Sequence, residues 1–292
     1  MKLVRFGPPG EERQGLWLEE DPVAGEAAIL DVRAMAFDIE DYDPHFFSHA
    51  GLDRLRGLLA EPDRKRIPAS GVRLGPPIAP PRQIVCLGKN YADHVAEFDA
   101  ETPRQPIFFA KAPSSVIGPF DPIRLPADAT RVDTEVELAV VIGRRARRVG
   151  EGEALHCVAG YAVLDDVTDR DAQRADGQWF RAKSADSFCP LGPWLVTPDE
   201  VADPHALRLR ARINGRALQD NTTANMIFKI PFLIASLSAR ITLEPGDVVA
   251  TGTPGGIGSA RTPPVLLREG DTVEMEIERV GRQVNPVQRQ GD

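Results

Sequence analysis

The sequence predicts an α+β fold that is mainly β, with a small N-terminal domain ahead of a larger one. Beyond residue 82, short apolar runs alternate with Gly, Pro and Asp clusters, the spacing of strands joined by turns. Helical patterns are few; one covers residues 52–60, and another covers Ile230–Ser238 after the Pro231 start signal. Because helices are few, we do not expect a doubly wound fold. Because no G-x-G-x-x-G opens a helix, we do not expect nucleotide binding.

The predicted domain boundary is the stretch 61–82, which is dense in Pro, Gly and charged residues and contains Gly75-Pro76-Pro77. We therefore predict a small N-terminal α+β domain over residues 1–75 and a larger domain over residues 82–290. Strands of the larger domain are predicted at residues 84–87, 107–110, 136–142, 158–164, 207–213, 248–251 and 272–279.

The composition indicates a chain that buries a sizeable core and carries excess negative charge. Of 292 residues, 42% are hydrophobic, and 43 acidic residues outnumber 35 basic ones, for a formal net charge of −8. A nucleic-acid partner is therefore not expected. The sequence shows no signal-peptide core and no membrane-length apolar stretch, and its three cysteines form no C-x-x-C. We expect a cytoplasmic protein with reduced thiols and no membrane partner.

A pair of glutamates, Glu135 and Glu137, stands at the start of the apolar run 138–142. Residues two apart on a strand point the same way, so the two carboxylates share a face. At about 5 Å they would repel by about 3 kcal/mol with an effective dielectric near 20. Because the run is apolar on both faces, we expect the strand to be buried and a positive charge to lie between the carboxylates. A hard divalent cation is the simplest candidate.

Glutamates with the same two-residue spacing occur later in the chain, where the surrounding pattern predicts a solvent-exposed face. Glu274, Glu276 and Glu278 alternate with Val273, Met275 and Ile277, which indicates a strand with one dry and one wet face. We interpret these glutamates as a solvated surface.

A third carboxylate is expected where the predicted strand 158–164 runs into an Asp-rich segment. Four aspartates follow it, and the pattern does not choose among them: Asp165, Asp166, Asp169 and Asp171. The alternative is an Asp-rich turn held by side-chain to backbone hydrogen bonds.

A general base is suggested by His94 and Glu97, which lie three residues apart in the segment after the strand 84–87. On a helical turn they share a face, and the carboxylate can fix the imidazole tautomer and raise its basicity. The alternative is an ordinary surface His–Glu pair. Two weaker signals are the glycine-rich segment 251–258, whose backbone can approach an anion, and Lys183, which can supply a cation.

Together, these segments resemble the fumarylacetoacetate hydrolase superfamily over residues 82–287. The matching blocks occur in the family's order, and they are Asn90-Tyr91-Ala92-Asp93-His94, Asp133-Thr134-Glu135-Val136-Glu137-Leu138, Gly160-Tyr161 through Asp166-Val167, Lys183 with Phe188-Cys189-Pro190-Leu191-Gly192-Pro193, Thr251-Gly252-Thr253-Pro254, and Gly281 to Asn285-Pro286-Val287. The resemblance implies the β-roll or β-sandwich-like fold of the family's C-terminal domain, with the chemistry in residues 82–290, and a homodimer.

The resemblance also implies roles for individual residues and a cofactor, Mg²⁺ or Mn²⁺. The implied metal ligands are Glu135, Glu137 and Asp166, and the implied catalytic residues are His94, Glu97 and Lys183. The implied substrate contacts are Tyr91, Gln178 and Thr253. The sequence departs from the family at Asp165, where many members have Asn, and at Thr222 and Asn225, which puts the identity of the substrate in question.

The predicted function is hydrolysis of a carbon–carbon bond in a β-diketo acid of the acylpyruvate type, giving pyruvate and a carboxylic acid. The small leading domain and Asp176-Gly177-Gln178-Trp179 resemble members acting on sugar-derived diketo acids, such as 2,4-diketo-3-deoxy-L-rhamnonate hydrolases. The alternatives are an oxaloacetate-type 2-oxo acid decarboxylase, or a tautomerase or 2-hydroxydienoate isomerase on the same scaffold. A non-catalytic acid-binding protein is disfavoured, because pure binding needs no paired His94 and Glu97.

Overall fold

The structure is a computed structural model that describes residues 1–19, 26–61, 65–97 and 101–291. Its strands are β1 (Lys2–Phe6), β2 (Arg13–Leu18), β3 (Ala28–Asp31), β4 (Arg66–Pro68), β5 (Ile84–Gly88), β6 (Ile107–Lys111), β7 (Val116–Ile117), β8 (Ile123–Leu125), β9 (Val132–Asp133), β10 (Val136–Ile142), β11 (Val158–Asp165), β12 (Thr168–Asp169), β13 (Cys189–Val196), β14 (Arg208–Ile213), β15 (Arg216–Thr222), β16 (Val248–Ala250), β17 (Thr272–Ile277) and β18 (Gly281–Arg289). Its helices are α1 (Val32–Met35), α2 (Pro44–Ser48), α3 (Gly51–Ala60), α4 (Ala92–Ala96), α5 (Glu151–Ala154), α6 (Arg170–Asp176) and α7 (Ile230–Ser238). Short 3₁₀ turns lie at Pro113–Ser115, Leu155–Cys157, Arg181–Lys183, Pro198–Glu200, Thr223–Asn225 and Gly258–Ala260.

The strands form two main sheets, which confirms the mainly-β α+β prediction. The larger sheet has the order β4-β3-β2-β1-β13-β11-β10-β16-β5-β6, and β7 pairs with β13. The smaller sheet has the order β15-β14-β17-β18-β8, and β9 and β12 form a separate pair. Neighbours are antiparallel except for β16 with β5, β13 with β7 and β18 with β8. The sheets pack through β10, β11 and β13 against β14, β17 and β18, in the manner of a β-sandwich.

Strand β10 is buried on both faces because different layers cover them. Leu138 and Val140 belong to the core between the two sheets, together with Met275 of β17. Ala139 and Val141 belong to a second core on the opposite face. Every residue of β10 is buried, as the two-sided apolar pattern predicts.

The second core is closed by the N-terminal segment. Strand β1 pairs antiparallel with β13, with Leu3 opposite Leu195, so that β1–β4 continue the larger sheet. Apolar residues of α2 and α3, including Phe46 and Leu55, pack with Ala139 of β10 in the same cluster. The division into residues 1–75 and 82–290 stays a prediction; the structure shows the two segments joined through one sheet and one core.

The local expectations agree with the structure in most places. The predicted helices correspond to α3 and α7, and the predicted strands fall on β5, β6, β10, β11, β14, β16 and β17. Cys86, Cys157 and Cys189 are free and buried. In the described part of the chain, no helix has both the length and the apolar character needed to cross a membrane.

Candidate active site

Three buried carboxylates meet at the end of β10. Glu135 directly precedes the strand and Glu137 lies within it, so both side chains are on the face that also carries Ala139. In the β10–β11 pairing Val136 is opposite Asp165, and the N–H of Asp166 donates to the carbonyl of Glu135 (3.0 Å). As a result, one oxygen from each of Glu135, Glu137 and Asp166 lies within 4.8 Å of the others. We call these three residues the acidic triad.

Two buried cations hold one side of the acidic triad. Lys183 Nζ donates to the carboxylates of Asp166 (2.7 Å) and Glu135 (3.0 Å), and also to the hydroxyl of Thr168 (2.7 Å). Arg170 Nη2 donates to Glu135 Oε1 at 2.5 Å. Burial alone would raise the pKa of Glu135, but Lys183 and Arg170 outweigh it, so the pKa of this carboxyl lies below its ordinary value. Glu135 is therefore held ionised.

Glu137 is compensated less fully, although Lys183 lowers its pKa to some extent. Burial, then the nearby carboxylates of Asp166 and Glu135, raise the pKa of Glu137 well above its ordinary value. The N–H of Gly252 donates to Glu137 Oε2 (2.8 Å), which offsets only part of this effect. Another positive charge beside Glu137 would relieve the repulsion. Three buried carboxylates with unused oxygen lone pairs form a donor set that suits a hard divalent cation, so the residues fit Mg²⁺ or Mn²⁺.

The β10–β11 register resolves the choice among the four aspartates. Asp166 joins the acidic triad, whereas Asp165 points to the opposite side, where it accepts from Thr134 Oγ1 (2.5 Å) and the N–H of Glu135 (2.9 Å). Burial raises the pKa of Asp165 to about 7. Asp169 caps the first turn of α6 by accepting from two backbone N–H groups. The Asp-rich segment thus supplies a triad member, a support for the backbone before β10 and a helix cap.

His94 and Glu97 lie on and just after α4, as expected for a helical pair. His94 is buried, with 8% of its surface exposed, and its Nδ1 lies 3.4 Å from Glu97 Oε2. The other oxygen of Glu97 accepts from the N–H of Gly256 (2.5 Å) in the glycine-rich segment. Asp93 accepts from the N–H of Gly255 (3.1 Å) in that segment and from Asn221 Nδ2 (2.5 Å). The carboxylates of Asp93 and Glu97 therefore hydrogen-bond α4 to the glycine-rich segment, whose Gly252 also contacts Glu137.

One cavity of about 360 Å³ joins these groups, and we call it the triad cavity. Its floor is the acidic triad and Lys183, and His94 lies on its wall. Trp179 and Phe109 form an apolar part of the wall, with ring centroids 5.2 Å apart. A side chain at Gly88 would overlap the ring of Trp179, since its Cβ would lie 2.4 Å from that ring. Glycine at the end of β5 thus leaves room for the ring of Trp179 in the cavity wall.

The three predicted substrate contacts lie in different environments. Thr253 lines the triad cavity; its hydroxyl donates to the carbonyl of Val136 (2.9 Å) and accepts from Gln219 Nε2 (2.8 Å). Tyr91 is fully buried in the core, and no hydrogen-bond partner for its hydroxyl is found in the described residues. Burial and Glu137 raise the pKa of Tyr91 well above its ordinary value. Gln178 is exposed and is not among the residues that line the cavity. Their roles toward substrate stay predictions.

The structure also brings in residues that the sequence patterns did not single out. Arg170 bridges Glu135 and Asp133, and Lys111 donates to Asp166 Oδ1 (2.7 Å) from a fully buried position. Gln173 accepts from Arg170 Nη1 (3.1 Å) and lines the cavity. The sequence gives only a weak indication that these residues belong to the site. Arg170 follows a triad member by four residues, and Lys111 ends an apolar strand.

Comparisons with known proteins agree with this geometry. Residues 83–288 match the family model described as fumarylacetoacetate (FAA) hydrolase C-terminal. A mitochondrial oxaloacetate tautomerase of Rattus norvegicus is 41% identical over 98% of this chain and 91% of its own length. A mitochondrial oxaloacetate tautomerase of Homo sapiens is 47% identical over 76% of this chain and 71% of its own length.

Solved structures show the same relationship. A maleylpyruvate hydrolase from Sphingobium sp. SYK-6, crystallised with manganese(II) and pyruvate, is 32% identical with a TM-score of 0.81, and the match covers 100% of both chains. A 2-hydroxyhepta-2,4-diene-1,7-dioate isomerase from Mycobacterium marinum is 35% identical with a TM-score of 0.78, again over 100% of both chains. Sequence and structure together place the chain in an enzyme family, and it belongs to the fumarylacetoacetate hydrolase family.

Proposed function

We propose that the chain is a divalent-metal-dependent hydrolase that cleaves a carbon–carbon bond in an acylpyruvate-type β-diketo acid. The products would be pyruvate and a carboxylic acid. The observation that carries this proposal is that the acidic triad and His94, which has Glu97 beside its Nδ1, line one small cavity. Glu135, Glu137 and Asp166 would hold Mg²⁺ or Mn²⁺, which supplies Lewis-acid stabilisation of negative charge on a 2-oxo acid.

His94 is the proposed general base. Its buried ring lines the cavity and Glu97 lies beside Nδ1. We assign the uptake of the proton from water to the other ring nitrogen, Nε2. The water oxygen forms a bond to the distal carbonyl carbon as its proton passes to His94. The bond between that carbon and C3 of the pyruvate unit then breaks, and its electron pair stays on the pyruvate side as an enolate. Proton return to C3 completes the reaction, and a positioned base of this kind contributes about 10²–10⁴ in rate.

Lys183 has a positioning role in this proposal. Its ammonium donates to Glu135, Asp166 and Thr168, and these acceptors match its three N–H bonds. Burial lowers the pKa of Lys183, but the carboxylates of Asp166 and Glu135 raise it by more, so the side chain stays charged. It therefore fixes two triad carboxylates and keeps a positive charge beside the developing enolate.

A second candidate is oxaloacetate tautomerisation, which the sequence relatives favour. The relatives from Rattus norvegicus and Homo sapiens carry that name. Tautomerisation uses the same site for a simpler reaction. His94 would take a proton from C3 as the C2=O double bond becomes C2=C3, and the C2 oxygen would gain a proton from water, so that the carbon skeleton stays intact. Decarboxylation of oxaloacetate and isomerisation of a 2-hydroxydienoate would pass through the same kind of enolate.

The deciding experiment follows the ultraviolet enol absorbance of acylpyruvates, 2,4-diketo-3-deoxy sugar acids and oxaloacetate, with Mg²⁺ or Mn²⁺ and again with chelator. Metal-dependent decay that yields equal amounts of pyruvate and a free carboxylic acid supports the hydrolase. Enol–keto exchange of oxaloacetate without pyruvate or carbon dioxide supports the tautomerase, and carbon dioxide release supports the decarboxylase. Activity that is indifferent to chelator would contradict the metal-dependent mechanism.

The remaining parts of the proposal concern the binding partner, the oligomeric state and the cellular compartment. The expected partner is a small 2-oxo or diketo acid, and we propose a homodimer in the cytoplasm. Exposed apolar side chains at Phe232 and Ile241, beside a groove next to β6, are compatible with an interface between two copies. The animal relatives are named as mitochondrial enzymes.

A further inference from the structure

Asp133 is a fully buried carboxylate next to the acidic triad, and the proposed function gives it no task. Arg170 Nη2 joins it to the triad, at 3.0 Å from Asp133 Oδ2 and 2.5 Å from Glu135 Oε1. The fold thus buries a fourth negative charge close to three others, which adds to the repulsion among them. Such a placement indicates a role for Asp133 that outweighs this repulsion.

Three backbone N–H groups fix the orientation of the Asp133 carboxylate. Those of Thr134 (2.8 Å) and Gly258 (3.0 Å) donate to Oδ1, and that of Ser259 (2.8 Å) donates to Oδ2. Gly258 and Ser259 belong to the 3₁₀ turn that follows the glycine-rich segment. Because the donors come from two segments that are distant in the chain, Asp133 is a rigid acceptor for any cation beside it.

The guanidinium of Arg170 is held at both of its forked edges. At one edge, Nε and Nη2 both donate to Asp133 Oδ2, at 3.3 and 3.0 Å. At the other edge, Nη1 donates to Gln173 Oε1 (3.1 Å) and Nη2 donates to Glu135 Oε1 (2.5 Å). Each edge has two parallel N–H groups, the arrangement that binds both oxygens of one carboxylate. In this site, Arg170 instead gives Glu135 one hydrogen bond.

The single contact keeps part of Glu135 available to a further cation. Glu135 Oε2 already accepts from Lys183 Nζ (3.0 Å). A two-point pair with Arg170 would add a second hydrogen bond at Oε2 and use its remaining lone pair. Glu135 would then be a poorer oxygen ligand for a divalent cation. An arginine that is free to move favours this two-point pairing, so the restraint on Arg170 has a consequence for the acidic triad.

We propose that Asp133 is a positioning residue that holds Arg170 in one-point contact with Glu135, so that the acidic triad stays open to a divalent cation. This inference rests on the proposed function, because it assumes that the acidic triad binds Mg²⁺ or Mn²⁺. Gln173 supports the same restraint at the other edge of the guanidinium. Loss of Asp133 would therefore weaken cation binding through Arg170.

The test is Mn²⁺ binding to the full-length protein, measured by calorimetry without substrate. Asp133→Asn keeps one oxygen for the backbone donors and removes the charge that holds Arg170. Mn²⁺ affinity should fall by about 10–100-fold, the usual effect of losing a residue that orients a metal ligand. Adding Arg170→Lys to Asp133→Asn should bring the affinity back to within a few-fold of the wild type, because lysine keeps the charge but has no forked edge.

The rescue by lysine separates the restraint from the charge of Asp133. If Asp133 acted only by attracting the cation through space, the double variant would bind Mn²⁺ as weakly as Asp133→Asn, since the two have the same formal charge. That result, or an unchanged affinity in Asp133→Asn, would overturn the inference. If Asp133→Asn does not fold, Gln173→Leu decides, because it frees the other edge and leaves the 3₁₀ turn intact. It should lower Mn²⁺ affinity severalfold, and an unchanged affinity would overturn the inference.

Asp31→Asn is the matched control. Asp31 is also a buried carboxylate that pairs with an arginine, since it accepts from Arg13 Nη2 (2.5 Å) and from the N–H of Ala34 (3.2 Å), but it lies in the N-terminal segment. This variant should leave Mn²⁺ affinity unchanged. A wild type that binds neither Mn²⁺ nor Mg²⁺ would overturn the proposed function together with the inference. A wild type that binds Mn²⁺ tightly and is insensitive to Asp133→Asn would overturn the inference alone.

Discussion

Glu135 and Glu137 share their two-residue spacing with Glu274 and Glu276, yet the two pairs lie in different environments. The first pair is buried beside Asp166, whereas Glu274 and Glu276 are only half-buried and pair with arginines of neighbouring strands. Periodicity alone predicts that both pairs share a face. What separates them is the sequence downstream, because an apolar run on both faces predicts burial and an alternating run predicts solvent on one side.

Mutations of a metal ligand and of the general base should have different effects on metal affinity and on kcat. Glu137→Gln keeps the shape of the side chain but removes a charge that the triad uses for a cation, so Mn²⁺ affinity should fall by at least about 100-fold. His94→Ala should leave Mn²⁺ affinity within a few-fold of the wild type and lower kcat by about 10²–10⁴. Calorimetry with Mn²⁺ and steady-state kinetics on the best substrate measure the two effects.

The control for folding is the melting temperature of the metal-free variants. Glu137→Gln should not melt below the wild type, because it removes a buried charge that Asp166 and Glu135 repel. Near-native turnover in His94→Ala would contradict the role of His94 as the base. Lost metal binding in His94→Ala would instead place His94 among the ligands.

The residues that the sequence could and could not indicate differ in what fixes their positions. Glu135, Glu137, His94 and Glu97 follow from spacing within one element, which the sequence displays directly. The residue pattern alone could not separate Asp166 from Asp165; only the family resemblance named Asp166. In the structure the β10–β11 register distinguishes them, and a register is a contact between distant segments. Arg170 and Lys111 are two of 35 basic residues, and the residue pattern gives no reason to choose them.

At the scale of elements, the site depends on the attachment of α4 to the glycine-rich segment. Helix α4 has only five residues, too few to be stable alone. Its Asp93 accepts from Gly255 and Asn221, and Glu97 accepts from Gly256. The sequence predicted both the helical turn and the glycine-rich segment, but the hydrogen bonds of Asp93 and Glu97 join residues more than 120 positions apart.

Asp93→Ala should therefore weaken catalysis through the position of His94. Losing the contacts to Gly255 and Asn221 lets α4 move relative to the acidic triad, and kcat should fall by about tenfold or more while Mn²⁺ affinity stays within twofold, since small misplacements of a catalytic group are costly. The control is Asp53→Ala, which removes an exposed aspartate from the first turn of α3 and should leave kcat unchanged. An unchanged kcat in Asp93→Ala would show that α4 is held by other contacts.

At the scale of the whole molecule, the composition of the sequence suggests two domains, whereas the contacts in the structure join the two segments. The Pro- and Gly-rich stretch 61–82 favours a boundary between two domains. In the structure, β1 pairs with β13 across more than 190 residues, and Trp17 of β2 lies 5.3 Å from Trp194 of β13 between ring centroids. Pairing over such a distance leaves no local signal in the sequence. The shared core of Leu3 and Ala139 indicates that the small unit covers a face that the larger unit would otherwise expose to water.

This arrangement predicts that the chain unfolds as one cooperative unit. Leu3 and Leu209 are both fully buried, one where β1 meets β13 and the other between the two sheets. Leu3→Ala and Leu209→Ala should each lower the free energy of unfolding by about 2–5 kcal/mol, and both should shift the same single transition in urea. Tryptophan fluorescence and far-ultraviolet circular dichroism should give coincident curves, since Trp17 and Trp194 report on both units.

Two transitions, with Leu3→Ala shifting only one and Leu209→Ala only the other, would instead support independent domains over 1–75 and 82–290. Independent domains would require the face of β10 that α2 and α3 cover to be stable in contact with water. We do not expect this, because every residue of β10 is buried and such an apolar face is unfavourable when exposed.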